Sequence, residues 1–157
     1  MRRGLLGSCL VLLLVGVLAA PAEANAKKRI YHLDGPIGGS GRLHFDVKVK
    51  KEGGEWVPKR VANWRFAKLP LTCDSDSGTL ATSKNPTCFP VRDGLFSIQL
   101  DPDTRMRIEG ELTRNGKRAT GQFEFGPTDF GLDGDTCATG ELSWSAHKTR
   151  NRPSLRR

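Results

Sequence analysis

The stretch Arg105–Phe125, RMRIEGELTRNGKRATGQFEF, decides the fold. Apolar and polar residues alternate on both sides of Asn115-Gly116, and a period of two marks a strand with one buried face. Asn-Gly between two such runs predicts a two-residue hairpin turn of type I′. In that hairpin Met106 faces Phe125, Ile108 faces Phe123, Gly110 faces Gly121 and Leu112 faces Ala119, all inward. Outward, Glu109 faces Gln122, Thr113 faces Arg118, and Arg107 faces Glu124 as an expected opposite-charge pair. A slip of one residue would turn the whole apolar set to solvent, so the register is strongly specified. The Gly110–Gly121 pair leaves a hole in the inner face. Trp144, on the same strand face as Leu142 and Ala146, is expected to fill it.

The same alternation extends outward along the chain. In Arg42–Lys50, Leu43, Phe45, Val47 and Val49 share one face, and Arg42, His44, Asp46, Lys48 and Lys50 the other. Lys51–Glu55 reads as a turn, and Trp56–Leu69 as one long or two short strands broken near Pro58. Leu95–Leu100 and Gly140–His147 complete the set, and no helical periodicity of useful length occurs. The expectation is all-β: a single-domain antiparallel β-sandwich of about seven or eight strands, with a small closed β-barrel as the alternative. Residues 27–148 form the domain. Its basic ends, Lys27-Lys28-Arg29 and the tail 149–157 with Lys148 before it, read as disordered.

Residues 1–26, MRRGLLGSCLVLLLVGVLAAPAEANA, have the grammar of a secretory signal peptide: Arg2-Arg3, an apolar run Leu10–Ala20, and small-x-small sites that place cleavage after Ala24 or Ala26. The uninterrupted apolar run is shorter than the roughly 20 residues of a membrane span, so no transmembrane anchor is expected after cleavage. The localisation read from this is secreted, with cell-wall association an option.

The leader carries Arg2, Arg3 and Glu23, a net +1, so +7 of the chain's +8 stays with the mature chain, the basic tail included. Such an excess attracts polyanions in general. Nucleic acid is not expected as the partner, because no aromatics interleave with the outward cations Arg42, Lys48, Lys50, Lys59, Arg60, Arg65, Arg105 and Arg107. Three cysteines follow the leader, and an exported chain pairs its thiols. Cys73 can bridge to Cys88, closing a polar loop, or to Cys137, and the sequence alone leaves both open.

Candidate chemistry is sparse. Glu109, Glu111 and Glu124 read as a solvated strand face. Asp129, Asp133 and Asp135 lie in a Gly-rich loop and, with Asp74 and Asp76, are weak calcium candidates through oxygen ligation; the EF-hand order is absent. His32, His44 and His147 stand beside no nucleophile motif. Phe45, Phe66, Phe96, Phe123, Phe125 and Trp144 fit core alternation. Trp56, Phe89 and Phe130 lie at turns or in loops, where exposed rings would make a sugar-binding platform. No cofactor and no catalytic residue are expected.

The leader, GSGRLHFDVKV, WRFAKLPLTC, DGLFSIQL, the hairpin sequence and the terminal CATGELSW together resemble a loose group of small secreted all-β proteins of high-GC Gram-positive bacteria. The resemblance implies an antiparallel sandwich with Cys73–Cys137 as the bridge, and brings no catalytic residues. Cys88 departs from that two-cysteine pattern. The functional expectation is a secreted, non-catalytic binding or structural module held at anionic cell-envelope polymers or polysaccharide by its basic surface. A carbohydrate-binding module and an exported hydrolase using the Asp-rich loop are the alternatives.

Overall fold

A computed structural model describes residues 27–82, 84–101, 105–129 and 134–150, with backbone alone at Leu100 and Asp101. The signal-peptide reading of 1–26, the tail beyond Arg150, Phe130 and Asp133 lie outside the described residues. Within them the chain is all-β and antiparallel. Eight strands make one sheet in the order β6-β3-β2-β1-β12-β9-β8-β7. They are β1 (Lys28–Ile37), β2 (Gly41–Glu52), β3 (Glu55–Ala67), β6 (Phe89–Pro90), β7 (Leu95–Asp101), β8 (Met106–Leu112), β9 (Arg118–Phe125) and β12 (Gly140–Lys148). The sheet curls until its edge strands β6 and β7 meet, so it is nearly closed as a barrel. A second sheet, ordered β10-β11-β4-β5, comprises β4 (Leu69–Cys73), β5 (Ser77–Leu80), β10 (Thr128–Asp129) and β11 (Thr136–Ala138).

Curling follows from alternation: one face of every long strand is apolar and must leave water, and closure buries all of these faces in one core. Leu33, Phe45, Val47, Trp64, Phe66, Ile98, Ile108 and Phe123 are buried there. Phe45 stacks on Trp64 with ring centres 4.4 Å apart, and Trp144 meets Phe45 edge-on at 5.8 Å. The predicted hairpin register is present, with Ile108↔Phe123, Gly110↔Gly121 and Leu112↔Ala119. Trp144 fills the glycine hole: a Cβ on Gly121 would lie 2.5 Å from its ring, and one on Gly110 2.6 Å. Its indole Nε1 donates to the Gln122 carbonyl at 3.0 Å.

Three sequence expectations need correction. The hairpin turn is not type I′, which needs positive φ at both central residues; Gly116 has φ 68°, but Asn115 is not in the left-handed region. Gly116 N–H instead donates to the Thr113 carbonyl, and the Asn115 side chain accepts from Lys117 N–H at 3.1 Å. Arg107 sits opposite Glu124 in register, yet its guanidinium bonds Glu109, its neighbour two residues on, at 3.1 Å. Lys28 and Arg29 belong to β1, which pairs along its length with β2. Lys148 ends β12, with its ammonium over the Tyr31 ring at 4.5 Å. Of the two readings of Trp56–Leu69, the single long strand is present: β3 runs through Pro58 and ends at Ala67.

Candidate functional site

Two irregularities in β3 shape the outer face of the β1–β2–β3 region. Lys48 faces Arg60 while Val49 faces Pro58, so Lys59 is an extra residue in β3. Further along, His44 faces Arg65 and Asp46 faces Ala62, leaving two residues of β3 opposite Phe45. Such bulges bend a strand and re-aim its side chains. At the second one Asn63 takes φ 57°, the left-handed region that asparagine tolerates better than most residues.

The first bulge lies in a groove of about 710 Å³ lined by Lys28, Arg29, Ile30, Lys48, Val49, Lys50, Lys59 and Arg60. Six of these are cationic and come from three strands. Lys28 faces Lys50 across β1–β2, and Lys48 faces Arg60 across β2–β3. Like charges directly opposed in a sheet are destabilising, so the fold bears a cost here that an anion would offset. Glu52 is the carboxylate in contact, 2.8 Å from Lys59 and 3.8 Å from Lys50. The hydrogen bond from Lys59 holds the Glu52 carboxyl below its ordinary range. Lys48 also donates to Cys88 Sγ at 3.1 Å, and Ile30 is 54% exposed at the groove.

One step along the same outer face, cations give way to a buried polar cluster. His32 faces Asp46 across β1–β2, and Asp34 faces His44. Alternation puts His44 and Asp46 on the outward face, yet both are buried, as is Asp34. Asp46 Oδ1 lies 2.6 Å from His32 Nδ1 and 3.6 Å from His44 Nε2, while Oδ2 accepts from Asn63 Nδ2 at 2.6 Å. Burial alone would raise the Asp46 pKa, but the contacts from His44, His32 and Asn63 outweigh it and hold the carboxyl well below the usual range. Arg42 pairs with Asp34 Oδ2.

Other residues singled out from the sequence sit elsewhere. Trp56 is half-buried, with the Arg29 guanidinium 4.5 Å over its ring. Phe89 faces Val61 and packs on the core. Trp56 and Val61 are five residues apart along β3, which at about 3.3 Å per residue is roughly 16 Å along the strand. Asp74 and Asp135 act as loop ties: Asp135 accepts from Ser75 N–H at 3.1 Å and from its hydroxyl, and Asp74 accepts from Thr136 N–H at 3.2 Å. Asp76 accepts from Ser77 N–H at 2.6 Å, and Asp129 is exposed in β10. These aspartates do not line the groove. Cys73 is bonded to Cys137, its register partner across β4–β11, and Cys88 is a free thiol.

Among the described residues no helix is long and apolar enough to cross a membrane. Comparison of the chain with protein-family models, with curated proteins and with solved structures finds no match in any of the three.

Proposed function

We propose that this is an exported, non-catalytic binding module that holds an anionic polymer of the cell envelope in the β1–β2–β3 groove. The observation that carries the reading is the gathering of Lys28, Lys48, Lys50, Lys59 and Arg60 from three strands at one groove, with like charges facing across both strand pairs. A stability cost of that kind is tolerable where a ligand's charge offsets it. The leader read in residues 1–26 and the Cys73–Cys137 bridge support export, since disulfides persist in oxidising compartments. A row of exposed cations of this kind suits an acidic polysaccharide or a phosphate-rich wall polymer.

Co-sedimentation with isolated bacterial cell walls tests the reading. Binding at low salt that fades as salt rises supports it, because screening weakens exposed charge pairs. Binding that survives salt and yields to free sugars would transfer the role to ring stacking. No binding at either salt would overturn both.

A further inference from the structure

We infer that His32, His44 and Asp46 form a binding site for a divalent transition-metal ion of the Zn(II) class on the outer face of the β1–β2–β3 region. This stands apart from the polymer groove and would survive its failure. Two imidazoles and one carboxylate are the donor set that zinc and its neighbours take, with a further position left to water. The three donors lie within 4.8 Å of one another. Metal bonds of about 2.0–2.1 Å in tetrahedral array separate ligand atoms by roughly 3.4 Å. His44 Nε2 and Asp46 Oδ1, 3.6 Å apart, already match that spacing. His32 Nδ1 stands 2.6 Å from the same oxygen; as the metal takes the place of the proton between them, a neutral ring moves its proton to Nε2 and an imidazolium releases one to solvent.

The surroundings fit a loaded site better than a closed network of protein groups. Asn63 Nδ2 holds Asp46 Oδ2, which leaves Oδ1 turned to both imidazoles, so Asn63 is a positioning residue. His44 Nδ1 and Asp34 Oδ1 are both buried with no hydrogen-bond partner, and their residues face each other across β1–β2. With Nε2 on a metal, Nδ1 carries a proton, and a carboxylate facing the ring is the usual outer partner of a metal-bound histidine. The His32 side chain is 26% exposed, which gives the ion a way in.

The test is a Zn(II) titration of the purified protein against a chromophoric chelator, with Co(II) as a spectroscopic substitute. One equivalent should bind at micromolar affinity or tighter, and Co(II) should give visible d–d bands. His32→Gln should weaken binding at least 100-fold, and Asn63→Gly, which keeps the left-handed backbone at that position, about 10-fold by releasing Asp46. Circular dichroism of each variant confirms folding, and if Asp46→Asn unfolds, the other two still decide. No binding by the unaltered protein overturns the assignment, as does binding that His32→Gln and Asn63→Gly leave unchanged.

Discussion

Replacing Gly110 by alanine separates packing from backbone effects in this barrel. Gly110 is a strand residue without positive φ, so alanine is conformationally acceptable and by itself would stabilise by about 0.5–1 kcal/mol. Its Cβ would lie 2.5 Å from Phe96 Cζ and 2.6 Å from Trp144 Cζ2, and overfilling of this kind costs about 1–3 kcal/mol. The net is a loss of roughly 0–2.5 kcal/mol. Trp144→Ala costs about 3–5 kcal/mol through the buried ring, with its bond to the Gln122 carbonyl lost as well. In the double variant the ring has gone and Phe96 can yield at its far end, so Gly110→Ala becomes neutral or stabilising. The cycle should show a favourable coupling of about 1–2 kcal/mol, read by urea unfolding with the disulfide intact, in sulfate buffer to keep the weaker variants folded. Gly121→Ala is the contrast: its Cβ would lie 1.9 Å from the Glu109 carbonyl oxygen, a backbone clash that removing Trp144 does not relieve. Additivity within about 0.5 kcal/mol for the Gly110 cycle would refute the packing argument.

Loss of the Cys73–Cys137 bridge, which spans 64 residues, should cost about 4 kcal/mol in the loop-entropy picture, whereas Cys88→Ser should cost little. Denaturation of Cys137→Ser and thiol counting on the native chain check this; a free Cys137 would contradict it. Asp46 has a folded pKa below its unfolded value, so it contributes stability that is complete above about pH 5 and is lost as pH falls through the unfolded pKa of about 4 and on toward the folded one. Unfolding curves across that range should be flatter for Asp46→Asn than for the unaltered chain. With Lys50 and Lys59 shared with Glu52, Lys28, Lys48 and Arg60 remain in the groove for a polymer. At about −0.7 per contact the salt slope is roughly −2, so a rise from about 50 to about 200 mM salt should weaken binding about 20-fold.

The hairpin was legible because both its strands keep a strict period of two and the glycine pair announces what must fill it. β1 was not, because a cationic start and Gly35-Pro36 hide the inward set Tyr31, Leu33 and Ile37. The β3 bulges were invisible for the same reason that alternation works elsewhere. An extra residue shifts phase, so Val61 and Trp64 both turn inward across three positions. The groove was half seen: Lys48, Lys50, Lys59 and Arg60 were read as outward, but only the β1–β2 register adds Lys28 and Arg29. The polar cluster was missed because its members come from three strands. His44 and Asp46 on one strand face, and an asparagine inside the apolar run Val61–Phe66, were the signals present. Disulfide pairing followed from register, which cysteine spacing alone does not contain.

Binding of an anionic wall polymer by a groove variant and a charge-matched control tests the central claim most directly. Lys48→Glu with Arg60→Glu reverses one facing pair in the groove, while Arg92→Glu with Arg118→Glu makes the same charge change on exposed positions outside it. Titration at low salt should show the groove variant losing binding by at least 10-fold more than the control. Equal losses in the two variants would mean that net charge alone attracts the polymer, and the groove would not be its site.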